Sequence, residues 1–257
     1  LEEAESKNLA TGLVSTSTIV HATPASFIAH NEYRRNYEEI AADFLKTDID
    51  LFIGGGAKYF NNREDGRDLI EELRAKGYQV GDYFNNELDT MKIDASRNFA
   101  YLTSLDDPIP AAQGRDYLQN ASLKAIKALD QKDEGFFIMI EGSQIDWGGH
   151  ANDADYIISE MIDFDNTLGA VLDWAEKDGE TLVVVTADHE TGGFAIQKES
   201  TREKLITAFT SDYHTAEMIC VFAHGPQEEL FKGIYQNTDI YYKMREAYGW
   251  NAKNTQD

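Results

Sequence analysis

The sequence predicts an α/β fold, with helices packed on a mostly parallel sheet. Two observations carry this expectation. Apolar, β-rich runs alternate with longer amphipathic stretches, and each run ends in glycine, aspartate, histidine or another polar residue. The expected strands are 12–20, 50–56, 136–142, 181–189 and 218–225. Apolar spacing of three and four places helices at 36–46, 67–76, 115–131, 153–177 and 239–248. Ligands of open α/β sheets bind just outside the carboxyl ends of the strands, so chemistry is expected at those polar strand ends.

At 257 residues, with no internal repeat, low-complexity tract or linker, the chain 1–257 reads as a single domain. Hydrophobic residues make up 42%, which is too much burial capacity for a disordered acidic chain. The net charge of −23 repels phosphate backbones and anionic lipid, arguing against nucleic-acid or membrane-surface partners. Carboxylates that ligate divalent cations would neutralise part of that excess. Cys220 is the only cysteine, so an intrachain disulfide and a thiolate zinc cluster are both excluded. Any zinc site must therefore use histidine and carboxylate. No apolar run reaches the roughly 18 residues that span a bilayer. The opening LEEAESKN is acidic where an export leader is basic and then apolar, so either export is absent or a leader has been removed.

Three segments carry metal-ligating residue types. EGSQIDWGGHAND, from Glu141 to Asp153, follows the apolar run FFIMI. Asp146 and His150 are four apart, so one helical turn puts both on one face, while Glu141 at the strand end suits a second, harder ion. Asp146 as a helix cap and His150 as an ordinary polar residue fit that pair equally well. In VVVTADHETGG, Asp188 and His189 end an apolar run, and Gly192 and Gly193 allow a tight turn beside them. Two such groups at one strand end, with room for close approach, suit a catalytic metal, and burying them unpaired would be costly. His214 in SDYHTAE is a candidate third ligand to the ion of Asp146 and His150, which would leave a position open for substrate. His224 competes for that role. The polar loop around His214 favours it, but spacing alone does not decide.

Near the start, Thr23 precedes Pro24, and proline at a first helical position favours a helix beginning there, with Arg34 about three turns on. Arg34 has two readings: a surface ion pair with Glu32, Glu38 or Glu39, or bidentate contact with a phosphate. The residues alone favour the ion pair.

Taken in order, STSTIVHATPASFIAH, GFFIMIEGSQIDWGGH, VVTADHETGG and DYHTAEMICVFAHGPQ resemble the alkaline phosphatase family, and the resemblance runs from about residue 4 to about residue 235. It implies a three-layer α/β/α sandwich with a central mostly parallel sheet, and phosphate monoester hydrolysis at alkaline pH through a phosphoserine intermediate. By the same resemblance Asp146, His150 and His214 bind a first zinc, Asp188 and His189 contribute to a second, and Thr23 and Glu141 bind magnesium. Arg34 holds the phosphoryl oxygens. Family members vary at two further positions near substrate, which here are His21, where others carry Asp, and Trp147, where others carry Lys or His. Trp147 brings no positive charge, so weaker phosphate binding than in the Lys form is expected. His21 is expected to reach magnesium only through water.

The resemblance places LEEAESKNLATG on the helix that follows the family's nucleophilic serine, so that serine and a metal-bridging aspartate are expected upstream and the sheet is expected to be truncated at its N-terminus. Ser15 and Ser17 lie in the β-rich run, Ser143 lies inside the acidic segment, and none has a precedent as nucleophile. A homodimer or a retained N-terminal fragment are the expected protein partners, with phosphate monoesters and inorganic phosphate as ligands and a periplasmic or secreted location. Two alternatives accompany this reading: a metal-binding but inactive fragment, and a related metal-dependent phosphodiesterase or phosphoglycerate mutase. HATPAS and HETGG favour the monoesterase.

Overall fold

The computed structural model of the protein describes residues 1–250. The chain forms two compact units, one of Leu1–Trp147 with Asp155–Thr167, the other of Gly148–Ala154 with the chain from Leu168 onward.

The first unit runs α1 (Glu2–Glu5), β1 (Ala10–Thr18), α2 (Ala22–Ser26), α3 (Tyr37–Asp43), β2 (Leu51–Gly55), α4 (Lys58–Asn61), α5 (Leu69–Ala75), β3 (Gln79–Asp82), β4 (Phe99–Leu102), α6 (Tyr117–Leu129) and β5 (Phe136–Glu141). Its five strands pair in the order β3-β4-β2-β1-β5, and all four pairings are parallel. The chain leaves β1 towards β2 and returns to the other edge of β1 as β5, so the carboxyl ends of β1 and β5 flank the crevice where such sheets take ligands.

Both faces of this sheet are covered, which is why β2 reads as an unbroken apolar run and β1 is buried along its whole length, hydroxyl residues included. Alternation sorts their side chains: Leu13 and Phe52 pack with Phe44, just after α3, and with Leu69 and Leu73 of α5, whereas Val14, Leu51 and Ile53 pack with Leu118, Ala125 and Leu129 of α6. Asp68 caps α5 by accepting the N–H groups of Ile70 and Glu71 at 3.0 and 3.1 Å. Layers of helix, parallel sheet and helix confirm the α/β class. Strands β3 and β4 were not expected from the sequence, because four residues bounded by glycine and asparagine give no period to read.

Two helices carry the chain across the boundary between units, α7 (Gln144–His150) and α8 (Ala154–Asp178). The second unit then holds β6 (Val183–Val185), β7 (Glu190–Thr191), β8 (Ala195–Ile196), β9 (Thr207–Ala208), β10 (His214–Thr215), β11 (Phe222–His224) and α9 (Asp239–Ala247). Its strands form three antiparallel ribbons, β10 with β7, β11 with β6 and β8 with β9. The expected strands 181–189 and 218–225 are thus present in shorter form, and they pair with each other antiparallel. An apolar run announces a strand, but nothing in its composition states the direction of its partner. Among the described residues no helix is long and apolar enough to cross a membrane.

Candidate metal centre

In the first unit the expected residues gather around the ends of β1 and β5. Glu141 is the last residue of β5 and the register partner of Ser15. Its carboxylate accepts the Ser143 hydroxyl at 2.5 Å. His21 precedes α2 as its N-cap, and Thr23 follows, half-buried. Pro24 is the third residue of that helix rather than the first, and the helix ends at Ser26. Arg34 therefore lies in an exposed turn before α3, not on a helix as the sequence suggested; the backbone leaves the helix after one turn. Trp147, in α7, meets the His21 ring edge-on, with centroids 5.8 Å apart and planes at 67°. Burial pushes the His21 imidazole below its ordinary pKa and the Arg34 charge adds to this, against the opposing pull of Asp107 and Asp146. Arg34 thus stands within electrostatic reach of His21. His21 accordingly stays neutral at alkaline pH.

In the second unit three histidines converge. His150 ends α7, His189 sits between β6 and β7, and His214 opens β10. The His214 ring lies 5.1 Å from that of His150 and 3.5 Å from that of His189, the latter pair nearly parallel at 21°. Ring nitrogens of His189 and His214 come within 4.8 Å of one another. Pairing of β10 with β7 builds this cluster, because His214 is in register with Thr191, two residues after His189. Asp188 lies beside His189, with Oδ2 3.2 Å from Nε2. His224 is elsewhere: at the end of β11 it faces Glu176 at 3.6 Å and Glu228 at 3.8 Å.

The glycines explain how a helix end can approach a strand so closely. A Cβ on Gly149 would lie 2.6 Å from the Thr191 carbonyl, and one on Gly192, at φ +94°, would lie 2.9 Å from the Gly149 carbonyl. Glu190 locks the turn between them. Burial opposes its charge, but the Thr215 hydroxyl and the N–H groups of Phe194 and Gly193 hold its carboxyl below the usual range.

Donor chemistry suits metals in both places. The Nδ1 of His150 lies 2.8 Å from the Asp212 carbonyl. A carbonyl only accepts, so Nδ1 carries a proton in this contact, the arrangement by which a protein orients an imidazole for zinc. Glu141 offers carboxylate oxygen, the donor that magnesium prefers.

A family model described as Alkaline phosphatase matches residues 1–206. The chain belongs to the alkaline phosphatase family. Alkaline phosphatase 3 of Bacillus subtilis (strain 168) is 32% identical over 98% of this chain and 71% of its own length. Repressible alkaline phosphatase of Saccharomyces cerevisiae is 38% identical, over 78% of this chain and 41% of its own. The solved structure of alkaline phosphatase from the Antarctic bacterium TAB5 matches with a TM-score of 0.88 at 42% identity, covering 96% of this chain and 74% of that one. A histidine-to-glutamate variant of the TAB5 enzyme, with Mg bound in the M3 site, matches with the same TM-score of 0.88 at 41% identity over the same shares, 96% and 74%. The relatives are phosphatases, so this chain carries the fold of a phosphomonoester-hydrolysing enzyme family.

Within this alkaline phosphatase scaffold, sequence reasoning missed the residues that support the expected ones. Asp107 accepts the Thr18 N–H at 2.8 Å and so fixes the end of β1. Gln144 donates to the carbonyls of Thr16 and Pro108 at 2.8 and 2.9 Å. Ser15, Ser17 and Ser143 stand out in sequence only as hydroxyl residues; their burial, at 0%, 0% and 6% exposed, withholds them from substrate. The signal that could have found Ser15 and Ser17 is the unbroken run of hydroxyls in STST, Ser15 to Thr18, at the end of a strand that is wholly buried.

Proposed function

We propose that the protein hydrolyses phosphate monoesters at alkaline pH with a site of two zinc ions and one magnesium ion. The observation that carries this is the convergence of His150, His189 and His214 in one unit. Following the family resemblance, Asp146, His150 and His214 hold one zinc, Asp188 and His189 the other, and Glu141 with Thr23 the magnesium. When bound, these ions supply Lewis-acid polarisation of the phosphoryl group and neutralise its charge.

The chain's own residues do the rest. Arg34, exposed and charged, offers a planar fork that pairs two phosphoryl oxygens at once. His21, neutral at alkaline pH, adds no charge of its own and can exchange hydrogen bonds with water near Glu141. Trp147 shields one side of the phosphate position without contributing charge, so affinity for inorganic phosphate rests on Arg34 and the metals. In this reading the ester is attacked by a serine, giving a phosphoserine, and that serine is none of Ser15, Ser17 and Ser143. A periplasmic or secreted location belongs to the same reading.

A second reading, a metal-binding chain without catalysis, is favoured by the burial of those three serines. Hydrolysis of p-nitrophenyl phosphate and bis(p-nitrophenyl) phosphate at alkaline pH, with zinc and magnesium and with a chelated control, separates the possibilities. Chelator-sensitive turnover of the monoester in preference to the diester is the expected result. A preference for the diester, or turnover indifferent to chelator, would contradict the proposal. No turnover with zinc retained is the result of the second reading.

A further inference from the structure

The end of β1 holds a buried hydroxyl cluster that the proposed reaction leaves unused. From Val14 to Thr18 β1 advances four residues while its partner β2 advances two, from Ile53 to Gly55, so β1 is bulged there. The bulge brings the Ser15 and Ser17 hydroxyls to 2.7 Å. Ser143, just past β5, closes the cluster at 3.3 Å from Ser15 and 3.1 Å from Ser17. Its own hydroxyl lies 2.5 Å from Oε2 of Glu141.

Counting protons gives this cluster a direction. A carboxylate only accepts and a serine has one proton, so Ser143 spends its proton on Glu141 and its oxygen must accept. The Ser15 oxygen accepts the Ser17 N–H at 3.0 Å, and the Ser15 and Ser17 hydroxyls share a further hydrogen bond. The Ser17 hydroxyl donates to the Thr18 carbonyl at 3.1 Å, and its oxygen lies 3.1 Å from that of Ser143. The Ser143 hydroxyl is thus turned to the carboxylate, with the Ser17 and Ser15 hydroxyls hydrogen-bonded behind it. In a buried setting, such a chain polarises along its length and stiffens the group at its end. Ser143 is itself pinned, since its N–H donates to Thr16 Oγ1 at 2.8 Å. Apolar residues would fill this space without the desolvation cost of three buried hydroxyls, so the hydroxyls are retained for what they hold.

We propose that Ser143, backed by Ser17 and Ser15, is a positioning residue that sets the orientation of the Glu141 carboxylate toward a hard divalent cation. This rests on the reading of Glu141 as a magnesium ligand.

The test is calorimetric titration of magnesium chloride into the zinc-loaded 257-residue chain, comparing Ser143→Ala, Ser143→Thr, Ser17→Ala and Glu141→Ala, with thermal melting in chelator alongside. Ser143→Ala is expected to weaken magnesium by about 10- to 100-fold, as loss of an outer partner of a metal ligand does. Ser143→Thr keeps the hydroxyl and recovers most of that loss, and Ser17→Ala weakens binding by a smaller factor. A purely structural role would instead lower the melting temperature in chelator and leave magnesium affinity alone, which overturns the proposal. If Glu141→Ala abolishes binding while both alanine variants of serine bind like the parent, the positioning role fails and the ligand reading stands. If Glu141→Ala binds like the parent, or the unsubstituted chain binds no magnesium, both fall together. Should Ser143→Ala not fold, Ser17→Ala decides on the same criterion.

Discussion

The imidazole of His214 lies parallel to that of His189 within 21°, their centroids 3.5 Å apart. The contact is produced by one strand pair, β10 on β7, and it separates His214 from its sequence rival His224, whose ring faces Glu176 and Glu228. His214→Ala should therefore lower zinc affinity by more than about 100-fold, beyond the range for an outer partner of a metal ligand. His224→Ala should change it by no more than about twofold, as exposed substitutions do. Competition against a chromogenic chelator measures both. Equal losses from the two variants would remove the basis for choosing His214.

Gly149 and Gly169 both lie in or beside helices yet should respond to alanine with opposite signs. A Cβ on Gly149 meets the Thr191 carbonyl at 2.6 Å, and its relief requires the segment 148–154 to lift off β7. Gly149→Ala should cost about 1–3 kcal/mol, the usual price of overpacking. Nothing lies within 4 Å of a Cβ on Gly169, inside α8, so Gly169→Ala should stabilise by about 0.5–1 kcal/mol through helix propensity. Urea unfolding of the two variants reads the contrast.

Trp147 stands edge-on to His21 at 5.8 Å and brings no charge to the phosphate position. Trp147→Lys should tighten inorganic phosphate by about tenfold, the worth of one charge-assisted hydrogen bond. Calorimetry with phosphate on the zinc-loaded chain checks this. Unchanged or weaker binding would place Trp147 away from the phosphate.

Tyr78, 1% exposed, donates its hydroxyl to the Ile49 carbonyl at 2.6 Å, and burial pushes its phenol up to about 12 from 10.0. The folded chain keeps this proton where the unfolded chain has lost it. Its contribution is whole below pH 10.0 and is lost as the pH rises towards about 12. Tyr78→Phe should lose about 2 kcal/mol less stability than the parent across that window, after a cost of about 1 kcal/mol at neutral pH for the missing hydrogen bond. Urea midpoints against pH give the comparison.

Much of the fold was legible because its strongest signals are local. The runs that became β2 and β5 are apolar on both faces, and the expected helices recur within three residues at each end. The β3 and β4 strands were not legible, being too short to show a period. The antiparallel pairing of β6 with β11 was not legible either, since composition carries no direction. At the site, Asp146 and His150 could be placed on one helix from spacing alone, and α7 contains both. Arg34 could not be placed, because the single turn of α2 ends long before it. The choice of His214 over His224 turns on a strand pairing between residues more than twenty positions apart, which no local pattern encodes. The serines behind Glu141 depend on a bulge, and a bulge is visible only once the partner strand is known.

Zinc K-edge X-ray absorption on the chain loaded with one or two equivalents of zinc tests the central claim most directly. Imidazole nitrogens in the first coordination shell, lost in His150→Ala and His214→Ala variants, are the predicted result. A shell of oxygen alone, unchanged by either substitution, would contradict a histidine-built zinc site and with it the proposed hydrolysis.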